Sequence, residues 1–261
     1  MAANRWKHTL VLLRHGESTW NEENKFTGWY DCPLSVKGES EALAGGDVLR
    51  RENFKFDFAF TSMLTRANQT LDLALTSLGQ TNIPVQRAWE LNERHYGALQ
   101  GLDKQETVNQ FGLEQVTVWR RSYDIPPPEC ELDSPHFPYN DPKYSFLPKD
   151  ACPRTESLKT TLQRVIPFWE KSIAPRINRG QKLVVAAHGN SLRALVKYLD
   201  DIPESVITEL NIPTGIPLVY TLDENLRPIL QKESFSPLRG RYLGDQKAIA
   251  ARIEGVKNQT K

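Results

Sequence analysis

Two short, mainly apolar segments of this chain each end in a histidine followed by a glycine. The segment 9–13 leads through Arg14 to His15, and the segment 182–187 leads to His188. A compact apolar run of this length is typical of a buried β-strand. Because ligands of open α/β sheets bind at the carboxyl ends of the strands, the pattern predicts that both imidazoles meet over one pocket.

Strand-like and helix-like segments alternate through most of the sequence. Strands are predicted over 9–13, 56–60, 182–187 and 218–222, with a further strand that begins at 83–85 and runs toward Trp89. Helices are predicted over 35–51, 63–78, 103–121, 156–173, 190–199 and, weakly, 245–256. Such alternation predicts an α/β fold of three layers, a mostly parallel sheet with helices on both faces. We expect one catalytic domain over 1–261, with a flexible C-terminal tail at about 246–261.

The segment 124–154 differs in character from the rest of the chain. It contains eight of the 17 prolines. This proline content excludes a helix or a central strand and predicts an extended excursion. A loop of this length is often functional, but a surface insertion that merely packs on the body explains the composition equally well.

The charge, hydropathy and cysteine content of the chain limit the classes of partner that it can bind. The formal net charge is +1, so no global field attracts nucleic acid or an anionic membrane, and any basic patch is local. No stretch approaches the roughly 20 apolar residues of a membrane span, and we expect a cytoplasmic protein. The three cysteines match no zinc or redox spacing and are expected to be free thiols. No metal site is predicted.

Other chemically active residues follow predicted strands in the same way as the two histidines. Arg66 follows the second strand, Glu93 follows the third, and Arg14 directly precedes His15. The guanidinium fork of arginine binds two oxygens of a phosphate at once. Together with His188, these residues predict an anion pocket that contains a group able to move a proton.

Several longer sequence blocks carry a family resemblance. They are RHGESTWN at 14–21, FTGW at 26–29, LNERHYG at 91–97, WRRSY at 119–123, HGNSLR at 188–193, NIPTG at 211–215 and YLGD at 242–245. In this order they resemble the histidine phosphatase superfamily, and specifically its cofactor-dependent phosphoglycerate mutase branch, over about residues 10–245. Arg-His-Gly alone is shared by the whole superfamily, so the longer blocks give the resemblance its specificity.

The resemblance implies roles for five catalytic residues. His15 would become phosphorylated, with its tautomer held by a bond from the other ring nitrogen to a backbone carbonyl. Arg14, Arg66 and His188 would surround the transferring phosphoryl group as cationic donors. Glu93 would take and return the proton of the substrate hydroxyl.

The resemblance also implies positions that contact the substrate. They are Ser18, Asn21, Thr27, Gly28, Arg94, Tyr96, Lys104, Arg120, Arg121, Gly189 and Asn190. The three basic residues of the predicted helix 103–121 form a second cationic group. A substrate with a carboxylate and a second phosphate requires such a group, whereas a small monoester does not.

The implied activity is the interconversion of 3-phosphoglycerate and 2-phosphoglycerate, in glycolysis and gluconeogenesis. The cofactor would be 2,3-bisphosphoglycerate, as primer and intermediate, with no metal. Side activity as a bisphosphoglycerate synthase and phosphatase is expected, although Ser18 favours the mutase because synthase relatives carry glycine there. The implied partners are small-molecule phosphoglycerates and further copies of the chain, as a homodimer or homotetramer, without nucleic acid or membrane.

Two alternative functions remain open from the sequence. One is a broad-specificity histidine phosphatase, and the other is a non-catalytic scaffold that keeps the fold. The product formed from a phosphoglycerate, isomer or inorganic phosphate, discriminates between the two enzymes. We further hypothesise that the tail after Asp245 closes over the pocket, since a bisphosphorylated intermediate must stay bound while it turns.

Overall fold

The structure is a computed structural model that describes residues 7–258, with side chains described through residue 254. Its centre is a six-stranded sheet in the order β3-β2-β4-β1-β5-β6. The strands are β1 His8–Arg14, β2 Phe58–Thr61, β3 Val85–Arg87, β4 Leu183–Ala187, β5 Leu218–Leu222 and β6 Arg241–Tyr242. The four strands from β3 to β1 are parallel, and β5 and β6 extend the sheet with antiparallel pairings.

Helices cover both faces of this sheet. They are α1 Thr19–Glu22, α2 Val36–Arg51, α3 Thr65–Leu78, α4 Lys104–Phe111, α5 Leu113–Arg121, α6 Leu158–Phe168, α7 Ala174–Asn178, α8 Gly189–Asp200, α9 Glu204–Ile207 and α10 Gln246–Asn258. Apolar residues of α6 and α8 pack on the face that carries Leu12 and Val185. Residues of α2 and α3 pack on the opposite face, against Val11 and Val184. The predicted three-layer α/β class with a mostly parallel sheet is therefore confirmed.

Local sequence signals explain where several of these elements begin and end. The Ser35 side chain accepts a hydrogen bond from the Gly38 amide and so caps α2. Helix α3 ends at Gly79, which has φ = 81°, a conformation that glycine adopts without strain. Strand β1 is buried on both faces, as expected for a central strand in a parallel region.

One predicted helix is wrong in its continuity. The helix predicted over 103–121 is two helices, because Gly112 adopts φ = 83° and ends the first of them. The segment 156–173 is helical as predicted, but its last part, Trp169–Ile173, is a wider π-helical turn that continues α6. Pro167 and Pro175 bracket this turn, and their rings exclude regular α-helical bonding there. The second strand begins two residues later than predicted, and β3 lies within the segment predicted to begin at 83–85 and run toward Trp89.

The proline-rich excursion is irregular, as predicted, but it is anchored to the body. It packs around its own apolar cluster of Cys130, Phe137 and Cys152. Its backbone also bonds the body, where the Ala98 amide donates to the Pro128 carbonyl at 2.8 Å. All three cysteines of the chain are buried and free.

The C-terminal helix α10 docks on the sheet through the buried Ile249. Arg252 Nη1 lies 3.5 Å from Glu41 Oε1 and 3.4 Å from the Thr214 carbonyl oxygen. Closure of the tail over the pocket stays a prediction, and residues 259–261 lie outside the described residues. Along residues 7–258, the helices all lack the length or the apolar character needed to cross a membrane.

A backbone contact next to His15 gives the first testable prediction. A methyl group at Gly38 in α2 would lie 1.9 Å from the Glu17 carbonyl oxygen. In an ordinary helix alanine is more favourable than glycine by about 0.5–1 kcal/mol. Here we expect Gly38→Ala to lower the free energy of unfolding by about 1–3 kcal/mol, because the backbone must shift. Chemical denaturation measures this change.

The matched control is Ser40→Ala, at an exposed position two residues further along α2. It should change the free energy of unfolding by no more than about 0.5 kcal/mol. A Gly38→Ala protein as stable as the wild type would contradict the contact between α2 and the turn after β1.

Candidate active site

The two histidines lie side by side because the strands that carry them are neighbours. Strand β1 pairs with β4 in parallel, with Arg14 opposite Ala187. The His15 amide donates to the Ala187 carbonyl at 3.0 Å. The ring centroids of His15 and His188 are 4.9 Å apart, and both rings are buried. The two imidazoles are therefore neighbours, as predicted, although only His15 lines the cavity.

One hydrogen bond fixes the tautomer of His15. Its Nδ1 lies 2.6 Å from the carbonyl oxygen of Gly16. Since a carbonyl oxygen only accepts, Nδ1 carries the proton in this bond and Nε2 of the neutral ring keeps its lone pair. Arg66 Nε lies 3.4 Å from Nε2. The bond to a backbone carbonyl expected from the sequence is therefore present.

The surroundings of His15 keep its ring neutral. Burial lowers the pKa of His15 well below 6.5, and the charges of Arg66 and Arg14 lower it further. The bond to the Gly16 carbonyl opposes this shift without overcoming it. A neutral imidazole with an unprotonated Nε2 can act as a nucleophile at neutral pH once its long bond from Arg66 Nε is displaced.

Arg66 is held by the backbone on the far side from His15. Its Nη1 donates to the Tyr30 carbonyl at 2.9 Å, and its Nη2 donates to the Gly28 carbonyl at 2.8 Å. These bonds direct Nε toward His15. A guanidinium fixed in this way is organised to stabilise charge on a phosphoryl group at Nε2.

Arg14 occupies the other side of the nucleophile. Its Nη1 donates to the Ile212 carbonyl at 2.7 Å, while its Nε is buried and has no hydrogen-bond partner among the described residues. Burial lowers the pKa of Arg14, and the carboxylate of Glu93 partly opposes that shift. Arg14 therefore has an unpaired donor for an anionic ligand.

His188 is fully buried beside His15, and its predicted role as a cationic donor stays a prediction. Burial lowers the pKa of His188 well below 6.5, and the neighbouring charge of Arg66 adds to the effect. The ring is therefore neutral next to two arginines. Its Nε2 lies 2.7 Å from Ser62 Oγ. The other ring nitrogen, Nδ1, is buried without a hydrogen-bond partner among the described residues.

Glu93 presents one carboxylate oxygen to the site. Its Oε1 accepts from the amide of Arg94 at 2.8 Å and from the amide of Asn190 at 3.0 Å. Asn190 lies in the first turn of α8, where backbone amides favour a negative charge. No hydrogen bond within residues 7–258 occupies Oε2, which is therefore available to a substrate hydroxyl.

These groups line one cavity of about 610 Å³ at the carboxyl ends of the parallel strands. The predicted site residues that line it are Arg14, His15, Asn21, Thr27, Gly28, Arg66, Glu93, Tyr96, Lys104, Arg120, Arg121, Gly189 and Asn190. Three further predicted residues, Ser18, Arg94 and His188, lie behind this lining. The structure thus brings most of the predicted set together.

The side chains of Ser18 and Arg94 do not line the cavity, and each contacts other residues of the protein. The Ser18 hydroxyl accepts from the Asn21 amide and caps α1. The Arg94 guanidinium lies 4.5 Å from the ring centroid of Tyr96, and its Nη2 donates to the Arg120 carbonyl at 3.3 Å. Their predicted contact with the substrate stays a prediction.

A second cationic group lines the cavity away from His15. Lys104 comes from α4, and Arg120 and Arg121 come from α5. Burial lowers the pKa of Lys104 to about 8, and the charge of Arg120 adds to the shift. Burial alone would raise the pKa of Tyr96, but the charge of Arg94 and other groups outweigh it and lower the pKa to about 8. Uncompensated positive charge therefore dominates this end.

The cavity lining as a whole is strongly basic. Eight arginine and lysine side chains line it against three glutamates. Lys37 is paired with Glu17, at 2.8 Å, so part of the charge at the rim is balanced. The cavity therefore keeps an excess of positive side chains, although the net charge of the whole chain is only +1. The site is therefore built for an anion with several negative charges.

The proline-rich excursion contacts both flanks of Glu93. Asn92 Nδ2 donates to the hydroxyl of Tyr144 at 2.9 Å. His95 Nε2 lies 2.8 Å from the carbonyl oxygen of His136. Of the two interpretations left open by the sequence, these contacts favour a supporting role at the site over a merely surface insertion.

Several residues of the site were missed by sequence reasoning. Arg193 lines the cavity, and its Nε donates to the Leu210 carbonyl at 2.6 Å. The HGNSLR block contained it, but nothing in its spacing gave it a role. Ser62, at the end of the second strand, was visible as a strand-end residue. Glu156 and Arg164 gave no signal at all, since their backbone partners in the Glu93 loop lie about 60 to 75 residues earlier in the chain.

The comparisons with known proteins agree with this geometry. Residues 10–136 match the model of the histidine phosphatase superfamily, branch 1. Mycobacterial glucosyl-3-phosphoglycerate phosphatase is similar in structure, with a TM-score of 0.64, 20% identity, and coverage of 91% of this chain and 97% of that chain. The alpha-ribazole phosphatase from Shigella flexneri has a TM-score of 0.63 and 20% identity over 91% of this chain and 96% of that chain.

A third similar structure is Bacillus stearothermophilus YhfR. Its TM-score is 0.65 and its identity is 23%, with coverage of 87% of this chain and 98% of that chain. At such identities the likeness of these structures shows the fold alone. The family match and the geometry around His15 together support catalysis of the histidine phosphatase type.

The charge of Arg66 gives a prediction for the titration of His15. We expect Arg66→Gln to raise the pKa of His15 toward its ordinary value, because removing a positive charge stabilises the imidazolium. Arg66→Lys keeps the charge and should shift this pKa much less. Titration of the imidazole nitrogens by ¹⁵N NMR in the ligand-free protein measures both changes.

The control for this titration is Arg50→Gln, which removes an exposed arginine paired with Asp47. It should leave the titration of His15 unchanged. Equal behaviour of Arg66→Gln and the wild type would show that the charge of Arg66 does not act on His15.

Proposed function

We propose that this chain, which carries a histidine phosphatase superfamily (branch 1) domain over residues 10–136, interconverts 3-phosphoglycerate and 2-phosphoglycerate through a phosphorylated His15. The observation that carries the proposal is the second cationic group of the cavity, formed by Lys104, Arg120 and Arg121. A phosphoglycerate carries a phosphate and a carboxylate, and the bisphosphorylated form adds a second phosphate. Each anionic group then finds cations at its own end of the cavity.

The first transfer loads the nucleophile. His15 Nε2 attacks phosphorus of 2,3-bisphosphoglycerate, the N–P bond forms, and the ester P–O bond breaks with its electron pair on the departing oxygen. For this step Glu93 must be in its carboxylic acid form; it gives that proton to the departing oxygen and becomes the carboxylate that serves in the second transfer. Arg14 and Arg66 neutralise charge on the equatorial oxygens during the transfer.

The second transfer reverses these roles. Glu93 accepts the proton of the free hydroxyl of 3-phosphoglycerate as that oxygen attacks phosphorus on His15, and the N–P bond breaks. The bisphosphoglycerate formed then turns and returns its other phosphoryl group to His15, which leaves 2-phosphoglycerate. The cations at Lys104, Arg120 and Arg121 hold its remaining anionic groups during the turn.

The residues present fit 2,3-bisphosphoglycerate at both ends of the cavity. At the His15 end, Arg14 Nε and Thr27 Oγ1 are buried without a hydrogen-bond partner among the described residues. At the other end, burial and then the charge of Arg120 lower the pKa of Lys104 to about 8, so a bound anion would stabilise its ammonium form. A ligand with one phosphate at each end would pair all of these groups.

A phosphatase is the second candidate. The similar solved structures include proteins named as phosphatases, and water that reached phosphorylated His15 would release inorganic phosphate. The same His15, Arg66 and Glu93 serve both reactions. The two candidates therefore differ only in which acceptor takes the phosphoryl group.

The deciding experiment identifies the product of 3-phosphoglycerate. Protein stripped of metal is incubated with 3-phosphoglycerate, with or without catalytic 2,3-bisphosphoglycerate, and quenched before enolase and magnesium are added. We expect 2-phosphoglycerate that depends on the bisphosphoglycerate and disappears in His15→Ala. His8→Ala, at the opposite end of β1, is the matched control and should keep full activity.

Release of inorganic phosphate without isomerisation would replace the mutase with the phosphatase. If His15→Ala and His8→Ala both kept full activity, His15 would have no role in the reaction. Absence of both products in the wild type would favour a non-catalytic scaffold.

The pKa values at the second cationic group predict how substrate binding depends on pH. Lys104 and Tyr96 both titrate at about 8. Above that pH the ammonium is lost and a phenolate forms, and both changes disfavour a bound anion. We expect KM for 3-phosphoglycerate to rise by about tenfold between about pH 7 and pH 9, the size of a lost charge-assisted hydrogen bond.

The double variant Lys104→Arg with Tyr96→Phe tests this assignment, because neither replacement titrates in that range. Its KM should stay level across the same pH interval, although its absolute value can differ from that of the wild type. A KM that rises equally in both proteins would assign the pH dependence to another group.

A further inference from the structure

We propose that the buried ion pair between Arg164 and Glu156 is a positioning device for Glu93. This inference rests on the proton-transfer role of Glu93 in the proposed function. It concerns two residues of the region around α6 that do not line the cavity beside His15. They act on the backbone that carries Glu93 rather than on the substrate.

Arg164 binds the backbone of the Glu93 loop with two of its nitrogens. Nη1 donates to the carbonyls of Glu90 at 2.7 Å and Asn92 at 3.0 Å. Nη2 donates to the carbonyl of Glu93 itself at 2.9 Å. One guanidinium thus satisfies three carbonyls within four consecutive residues.

Glu156 holds both Arg164 and the other flank of the loop. Its Oε1 accepts from Arg164 Nε at 2.7 Å, and its Oε2 accepts from Arg164 Nη2 at 2.8 Å. Oε2 also accepts from the His95 amide at 2.8 Å, and the Glu156 amide donates to the His95 carbonyl at 2.9 Å. The pair therefore forms hydrogen bonds to the backbone on both sides of Glu93.

Burying this ion pair costs desolvation free energy, so its stabilising effect alone does not explain its presence. The side chains of Arg164 and Glu156 are 7% and 5% exposed. Burial alone would raise the pKa of Glu156, but the charge and hydrogen bonds of Arg164 outweigh it and lower the pKa. Buried ion pairs often contribute little net stability, since desolvation offsets their attraction. Their bonds here go to one functional loop.

Regular secondary structure does not fix Glu93. The chain around it leaves the short 3₁₀ turn Trp89–Leu91 and lies in neither a helix nor a strand. A shift of about 1 Å in a catalytic group can cost about 100-fold in rate. The bonds of Arg164 and Glu156 replace the ladder of hydrogen bonds that positions His15 at the end of β1.

Substrates with different leaving groups distinguish a positioning role for Glu93 from a general effect on the structure. When His15 attacks an alkyl phosphate, the P–O bond breaks and the departing alkoxide takes a proton from Glu93. When His15 attacks p-nitrophenyl phosphate, the same bonds form and break, but p-nitrophenolate leaves with its electron pair and needs no proton. Displacement of Glu93 alone therefore slows only the first reaction.

The test is Arg164→Lys, which keeps the charge but replaces the planar fork by a single ammonium. Phosphorylation of His15 is followed in single-turnover, rapid-quench experiments with 2,3-bisphosphoglycerate and with p-nitrophenyl phosphate. We expect the rate with the alkyl substrate to fall by about 10- to 100-fold and the rate with the aryl substrate to change by less than about threefold. Glu93→Gln should show the same selective loss.

Two further variants keep the outcome decisive. Arg176→Lys is the matched control, since Arg176 stacks on Phe58, 3.5 Å from the ring centroid, away from the cavity. It should leave both rates unchanged. Glu156→Gln keeps the shape of the pair, and it should slow the alkyl reaction selectively even if Arg164→Lys does not fold.

Equal losses with both substrates in folded Arg164→Lys and Glu156→Gln, or no loss with either, would overturn the positioning role. The outcome is separate from that of the mutase proposal, because it concerns only the loading of His15. A wild-type protein that releases inorganic phosphate would end the mutase proposal and leave this comparison of leaving groups intact.

Discussion

The parallel pairing of β1 with β4 is the constraint on which the site depends. Both strands are central and buried, and their register places Arg14 opposite Ala187. The two residues that follow, His15 and His188, then lie side by side without any further device. Their shared burial in turn keeps both rings neutral, which gives His15 its nucleophilic character. The layers of helices on both faces exclude water from this pairing and so maintain it.

Positive charge gathers around the cavity because backbone carbonyls hold it there. Arg14 bonds the Ile212 carbonyl, Arg66 bonds those of Gly28 and Tyr30, and Arg193 bonds that of Leu210. Carbonyl dipoles orient these guanidinium groups and leave their full charge uncompensated. Several like charges near each other repel, and a polyanion relieves that repulsion. The repulsion among these arginines destabilises the folded protein, and the same cluster of charges makes the cavity selective for anions.

The sequence predicted the strand-end residues because their positions follow from simple periodicity. His15, His188 and Arg66 each follow an apolar run, and parallel strands bring such ends together. The break at Gly112 was missed, because an isolated glycine is tolerated inside many helices and its φ depends on the packing of both neighbours. Arg164 was also beyond prediction, since a charged residue in an amphipathic helix normally faces solvent. Its carbonyl partners lie about 70 residues earlier in the chain.

Nucleophile and proton carrier are thus positioned by different physical means. His15 inherits its place from a strand ladder that forms the core of the sheet. Glu93 lies in an irregular loop, so its place depends on contacts from four groups: the ion pair at Arg164, the indole of Trp29, the amide of Asn190 in α8, and the proline-rich excursion. Irregular backbone needs such partners, because buried carbonyls and amides must be paired. Under the proposed function, the excursion and α6 therefore bear on proton transfer by Glu93, whereas the strand ladder of β1 bears on the attack by His15.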